Sequence, residues 1–492
     1  MDYSAAEYQD PKPVYERLDK LLSLPPVAIK TEAMERCLEY FESRCAKSRA
    51  MTAEAQHYIP GGVQHNLAFN YPFPLVFDRA EGAYLYDIDG NRYIDFLQAG
   101  GPTILGSNCP EVRSRVIELL SHCGPVTGLF HEYELKIARE INRHMPSVEM
   151  FRMLNSGTEA VMAAIRVARL VTGKKNIIKI GGAYHGWSDQ MVYSTKVPNT
   201  KRFEAHGIPG ACVKYTHEAR PNDLVSLERV LRRCKFLGGT AAVILEPIGP
   251  ESGTRPVDKE YNAGVRELCD KHRALLIFDE VVTGFRLGLG GAQGYFNVRP
   301  DMTVFGKIVA GGYPSAGGLG GSRQCMSRMA AGLESGQKKI YCGGTLAANP
   351  LSAAAGYFTI KEIERTGACE KAWAAGDRLT RALQKAIDKH ALPFVAYNQG
   401  SICHLETVGA MFVKIDLWKP WTIRAAIRQA KARKKKMEEY GAAYMAEGLV
   451  TLAGSRLYTS AADTDEIIDD ALVRFERVFR NVDRADLSPE AG

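Results

Sequence analysis

Short apolar runs, each followed by a segment of helical periodicity, dominate the middle of this chain. They fall at 150–154, 176–180, 241–246, 274–279 and 302–306. Near-continuous apolar strands separated by helices predict a parallel sheet covered on both faces, with right-handed crossovers. The first of these helices is predicted to start after Asn155-Ser156-Gly157-Thr158-Glu159 and to run through Val171. Upstream, apolar and polar positions alternate from 82 to 95 on either side of Asp89-Gly90-Asn91, which signals a hairpin. The N-terminal part reads as helical, with 31–49 the clearest segment. Pro25-Pro26 interrupts this arm and Pro60-Gly61-Gly62 ends it. Beyond 376 the pattern turns α+β, with helices at 420–447 and 465–482. The expected organisation is a helical arm (1–56), a first part of a small domain (57–105), a large α/β domain (106–375) and the remainder of the small α+β domain (376–492). Neither internal repeats nor low-complexity segments occur.

At 492 residues the chain exceeds what one hydrophobic core usually supports, about 250–300 residues, consistent with that division. With 46% hydrophobic and 24% charged residues it is neither disordered nor fibrous. Its 46 glycines point to many tight βα turns or close approaches of backbone to a ligand. A membrane span is not predicted, because no run of about 18 apolar residues occurs. The N-terminus, acidic and polar, lacks the pattern of a signal peptide, so a cytoplasmic location is expected. Eleven scattered cysteines without a CxxC pair suggest reduced thiols, with neither a disulfide framework nor a metal site. The net charge of +7 is mild, and the basic run at 431–436 is followed at once by acidic residues and has no interleaved aromatics. It reads as a solvated helix face, so no nucleic-acid partner is expected.

Five features of the α/β region carry chemistry. Ser156-Gly157-Thr158-Glu159 by itself suits first an ordinary capped helix start, and otherwise an anion cup made of free N–H groups and two hydroxyls. Asp279 closes an apolar strand, where open α/β sheets bind ligands, and a buried acid there calls for a cationic partner. Lys307 follows the strand at 302–306 between glycine-rich turns; a desolvated lysine loses basicity and becomes a nucleophile toward aldehydes. Tyr184-His185-Gly186 offers an aromatic for a planar ring, and Gly343-Gly344-Thr345 a further turn entering a helix. In this order on successive strand ends, an anion cup, an aromatic, an acid and a lysine describe a site for a planar phosphorylated aldehyde, pyridoxal phosphate. The acid would pair with its ring nitrogen.

These stretches resemble the class III aminotransferases, pyridoxal-phosphate enzymes of fold type I, and within them the glutamate-1-semialdehyde aminomutase branch. The likeness runs through Pro60-Gly61-Gly62, 82–95, 101–106, 155–160, 184–186, 245–247, 279–286, 290–293, 306–308, 343–346 and 463–466. It implies a large domain with a mostly parallel sheet of seven-stranded type and a smaller α+β domain. It also implies that Lys307 holds the cofactor as a Schiff base and moves protons, and that Asp279 pairs with the ring nitrogen. Gly157 and Thr158 would bind the phosphate, with Ser156 lining the turn of the cofactor site. Tyr184 would stack on one ring face, with His185 beside it, Val281 would press on the other face, and Glu246 would sit near the ring hydroxyl. Thr345 would reach the phosphate in a neighbouring subunit, making the active unit a homodimer with its sites at the interface.

The chain also departs from the branch it resembles. Where that branch carries a carboxylate-binding arginine, Val63-Gln64-His65-Asn66-Leu67 has none, leaving His65 as a candidate substrate contact. Gly100 stands where a bulky tryptophan is common. Glu251 and Arg456 match, Arg456 one position off, the acid and arginine that ω-aminotransferases pair. The expected activity is ping-pong transfer of an amino group from an amine or amino acid to a 2-oxo acid or other carbonyl. The alternatives are an aminomutase or epimerase reaction within one substrate, and a non-catalytic homologue, against which intact Lys307 and Asp279 argue.

Overall fold

A computed structural model describes residues 8–332, 336–413 and 420–484; the ends of the expected arm and small domain, 1–7 and 485–492, lie outside them. The predicted hairpin forms from β2 (Tyr84–Asp87) and β3 (Arg92–Asp95), with β1 (Phe77–Glu81) antiparallel to β2. Next come β4 (Met150–Leu154), β5 (Asn176–Ile180), β6 (Thr216–Ala219), β7 (Thr240–Leu245), β8 (Leu275–Asp279), β9 (Met302–Gly306) and β10 (Gly317–Gly321). The C-terminal part contributes β11 (Val395–Gln399), β12 (Ile402–Glu406), β13 (Leu449–Val450) and β14 (Arg456–Tyr458).

Strands β4 to β10 form a mixed seven-stranded sheet in the order β4-β10-β9-β8-β7-β5-β6. Strand β10 runs antiparallel to both its neighbours and all other pairings are parallel. This is the α/β architecture of fold type I. Every residue of β5, β7 and β9 is buried, as a sheet covered on both faces requires. One face packs Ala160, Ile165 and Ala168 of the helix Gly157–Thr172 on Ile177, Ala242, Ile277 and Val304. The other packs Leu227, Leu231, Val265 and Cys269 on Ile178, Val243, Leu276 and Phe278.

Strand β10 reads Gly-Gly-Leu-Gly-Gly, a composition that disfavours strands, and its periodicity announces nothing. Packing explains it. A Cβ built on Gly317 would lie 2.4 Å from the Ser156 carbonyl oxygen, one on Gly318 2.5 Å from the Phe151 ring, and one on Gly320 2.4 Å from Val148. The segment 31–49 is two helices, Thr31–Arg44 and Ala46–Ala55, broken at Cys45, which turns out of helical geometry (φ −128°, ψ 36°) and buries itself in the cluster of Phe41, Leu75 and Tyr93. A further core joins Leu18 and Leu21 of the helix Pro11–Ser23 to Phe96, Leu379, Leu405, Tyr440 and Phe475. Here β11-β12-β14 form a three-stranded antiparallel sheet, and β13 adds to β3 in parallel. Among the described residues, no helix is long and apolar enough to cross a membrane.

Candidate functional site

Because β4, β5, β7, β8 and β9 all run in one direction, Leu154, Ile180, Leu245, Asp279 and Gly306 end on a single edge of the sheet. Ligands of open α/β sheets sit outside this carboxyl edge. The residues that the sequence motifs single out at 155–158, 184–185, 246, 279–281 and 307 all follow directly from these ends.

Lys307 leaves β9 in left-handed geometry (φ 50°), and its amine donates to the Gly100 carbonyl. Burial lowers the pKa of this amine. Tyr458 opposes the shift, Arg456 and Arg286 add to it, and Asp279 opposes it. Gly100 itself has φ +82°, and a Cβ there would stand 3.4 Å from the lysine nitrogen and 3.7 Å from Leu67 Cδ1. A bulky side chain at 100 would therefore crowd the amine, and the glycine keeps that space open.

Asp279 is buried, with Oδ2 2.7 Å from His185 Nδ1 and Oδ1 accepting the Val281 N–H at 3.2 Å. The His185 ring is fully enclosed; desolvation depresses its pKa although Asp279 pulls the other way. A neutral ring carrying its proton on Nδ1 satisfies the contact, and Nε2 has no partner among the described residues.

The helix Gly157–Thr172 starts inside the 155–159 motif rather than after it, because Ser156 serves as its N-cap. Ser156 Oγ accepts the Glu159 N–H at 3.2 Å. Glu159, however, bonds the backbone and side-chain amides of Asn155 at 3.0 and 3.2 Å, so the reciprocal half of a capping box is absent. The amides of Gly157 and Thr158 have no carbonyl one turn back to bond to. Val281 is wedged between the start of this helix and β9: a Cβ on Gly157 would fall 2.7 Å from its Cγ2 and one on Gly306 2.8 Å from its Cγ1. Gly186 closes the same corner, where a Cβ would be 2.4 Å from Thr158 Oγ1.

Tyr184 is 46% exposed, and its N–H donates to Glu246 Oε1 at 3.0 Å. Glu246 also accepts the N–H groups of Glu251 (2.9 Å) and Ser252 (2.6 Å). Burial and the charges of Glu251 and Asp279 outweigh these donors and push its carboxyl up to about 8. Glu251 lies 2.9 Å from Arg456, with little of either side chain exposed. Thr345 is exposed on the single chain; its neighbour Gly344 packs so closely that a Cβ would fall 2.1 Å from Asn155 Nδ2. His65 is exposed too, and its Nδ1 accepts the Leu67 N–H at 3.1 Å.

Two residues at this site lie outside the chemistry that the motifs announce. Arg286 is fully buried and donates to Gly101 O (2.6 Å), Thr459 O (2.8 Å) and Ser401 Oγ (2.9 Å), which locks the turn that carries Gly100. Burial lowers its pKa to about 10. Tyr458 lies under the Arg286 guanidinium, 5.1 Å from ring centroid to Cζ. A Cβ on Gly101 would be 3.6 Å from both the Tyr458 ring and Lys307 Cδ. Tyr458 stands two residues from Arg456 on β14, hence on the same face, and that spacing is the signal the sequence offers for it.

On the neighbouring strand, Glu406 is enclosed and its Oε1 has no partner among the described residues. Burial raises its carboxyl to about 7, with Arg456 and Arg255 opposing. A carboxyl whose folded pKa is raised favours folding below its ordinary value near 4.5 and loses that contribution as pH climbs through about 7. Denaturant titrations at about pH 5 and about pH 8 will therefore show a stability loss on raising pH that is smaller in Glu406→Gln than in the parent protein. Equal losses in both proteins would contradict this.

Residues 68–474 match the family described as Aminotransferase class-III. A glutamate-1-semialdehyde 2,1-aminomutase of Legionella pneumophila (strain Corby) is 41% identical over 367 residues, covering 73% of this chain and 82% of that protein. An omega-transaminase from Sphaerobacter thermophilus shares the fold with a TM-score of 0.78 at 24% identity, over 90% of this chain and 99% of the other. A transaminase with PLP bound superposes with a TM-score of 0.76 at 25% identity, over 89% of this chain and 97% of that one.

Proposed function

The chain belongs to the class III aminotransferases, enzymes dependent on pyridoxal 5'-phosphate, and we propose that it transfers an amino group between two molecules. The donor is an amine or amino acid, including β- or ω-amino acids, and the acceptor a 2-oxo acid or other carbonyl, in a ping-pong sequence.

The residues on the carboxyl edge fit that cofactor. The free amides of Gly157 and Thr158, with the Ser156 and Thr158 hydroxyls, would hold its phosphate. Asp279, oriented by His185, would face the ring nitrogen, Tyr184 and Val281 its two faces, and Glu246 its hydroxyl side. Lys307 would anchor its aldehyde. Pyridoxal phosphate, when bound, supplies an electron sink that stabilises negative charge at the amine-bearing carbon of the substrate. Lys307 does the proton work: burial leaves its amine neutral more readily than an exposed lysine, so it takes a proton from that carbon and returns it elsewhere. The Gly100 carbonyl holds the Lys307 nitrogen in place meanwhile, and Arg286 keeps that carbonyl's turn from shifting.

The contact of Arg456 with Glu251 at 2.9 Å carries the choice of intermolecular transfer. An arginine that trades an internal carboxylate for a substrate carboxylate lets one pocket take a neutral and an acidic partner in turn. Transfer between a neutral and an acidic partner makes use of such a pocket, whereas rearrangement within one substrate brings no second partner to accommodate. The 41% identical aminomutase favours the second reading, a shift of the amino group within one molecule. Mixing the holoenzyme with a panel of amines decides between them. Transfer predicts a single conversion of the bound cofactor to its amine form, with steady turnover only after a 2-oxo acid is added. Sustained turnover of one substrate with no oxo acid present would overturn it.

A homodimer with Thr345 completing the partner's phosphate site belongs to the same proposal. Support comes from a groove of about 680 Å³ that includes Leu129, Phe130, Gly344 and Thr345, beside exposed Tyr341 and Leu346. Eleven free thiols support a cytoplasmic setting.

A further inference from the structure

The small sheet approaches the site through a row of three side chains. Tyr397, His404 and Arg456 stand directly opposite one another on β11, β12 and β14, and residues so paired share a face of the sheet. Each member reaches a different position of one turn. The Arg456 guanidinium bonds the Glu251 carboxylate at 2.9 Å, His404 Nε2 the Ser252 carbonyl at 3.2 Å, and the Tyr397 hydroxyl the Thr254 carbonyl at 2.6 Å.

That turn is strained. Glu251 (φ 54°, ψ 53°) and Ser252 (φ 54°, ψ 45°) are left-handed in succession, a conformation that non-glycine residues rarely adopt even singly. Such geometry persists only where its surroundings over-determine it. Glu246 holds both residues from the large sheet by accepting their N–H groups. The row Tyr397–His404–Arg456 holds them from the other side. His404 is central: it is buried, its ring stacks on Tyr397 at 4.8 Å and 14°, and its Nδ1 has no partner among the described residues. Its single N–H therefore points at Ser252, one residue from Glu251.

We propose that His404 is a positioning residue for substrate selection: by holding the Ser252 carbonyl it keeps Glu251 closed on Arg456, and so sets how readily a carboxylate-bearing substrate takes over that guanidinium. The inference rests on the reading of Glu251 and Arg456 as an exchangeable pair. Without the His404 N–H the turn relaxes, Glu251 withdraws, and Arg456 becomes available. Acidic partners then gain and neutral ones lose.

The test compares holoenzyme carrying His404→Phe, His404→Gln and Glu251→Gln with the parent. The readout is the half-reaction KM of the amine-loaded form for pyruvate and for propanal, an acid and a neutral carbonyl of equal chain length. His404→Phe keeps the stacked ring and removes the N–H; it is expected to lower the ratio KM(pyruvate)/KM(propanal) about fivefold, the equivalent of one ordinary hydrogen bond. His404→Gln, which retains an N–H, should stay near the parent ratio. Glu251→Gln should shift the ratio the same way, and His404→Phe should add nothing in that background. A shift in Glu251→Gln without one in His404→Phe overturns the role of His404 and leaves the pair intact. Equal shifts in both His404 variants reduce the residue to packing and also overturn it. No shift in Glu251→Gln brings down the pair, and the inference with it.

Discussion

Lys307→Ala is expected to lower turnover by at least about 10⁴-fold, because it removes an anchor and a base in one side chain. Among the described residues, no neighbouring amine is placed to substitute. Lys179, a lysine near this edge, is fully enclosed on β5 and commits its ammonium to the carbonyls of Ala183 and Met191. Lys307→Arg separates charge from chemistry: it keeps a cation, but a guanidinium stays protonated and is no nucleophile. Both variants should fail in steady-state turnover and in the single half-reaction with an amine, and neither should show the colour of covalently bound cofactor. Turnover by Lys307→Ala at the parental rate would refute the assigned chemistry outright.

Asp279→Asn should rank second, with kcat reduced on the order of 10²–10³-fold while cofactor uptake persists. The substitution is isosteric, so it preserves the packing of a buried position between His185 and Val281. The charge opposite the proposed ring nitrogen is lost, and with it the electrostatic support for negative charge at the substrate carbon. The contact with His185 suffers too. Asparagine offers one acceptor oxygen where two are in use, so an amide hydrogen must face either the imidazole or the Val281 N–H. A kcat indistinguishable from the parent, with cofactor bound, would show that the carboxylate plays no part in the reaction. Loss of cofactor binding alone, with normal kcat at saturation, would reassign Asp279 to a purely structural role.

Much of the scaffold is legible in the residue pattern. Strands at 150–154, 176–180 and 302–306 form where the apolar runs place them, and Ser156 caps its helix as the motif suggests. These features depend on residue types within a few positions of each other. The interruption at Cys45 is not legible, because it follows from where the Cys45 side chain is buried rather than from helix propensity. Strand β10 is hidden for a related reason: its glycines answer to Ser156, Phe151 and Val148 across the sheet, not to their own neighbours. His185 reads in its motif as a residue beside the ring, and its contact with Asp279 emerges only in three dimensions.

Local order along the chain determined that an open helix start, an acid and an amine terminate three strands of the α/β region, since periodicity and residue type settle where strands end. Tertiary structure decided what surrounds them. The approach of Arg456 to Glu251 across 205 residues, the burial of Arg286 against Gly101, and the alignment of Tyr397, His404 and Arg456 over one strained turn depend on strand register and on how the small sheet packs against the large one. Side-chain contacts over such separations are set by the shape of the folded whole, and no short stretch of residues contains that information.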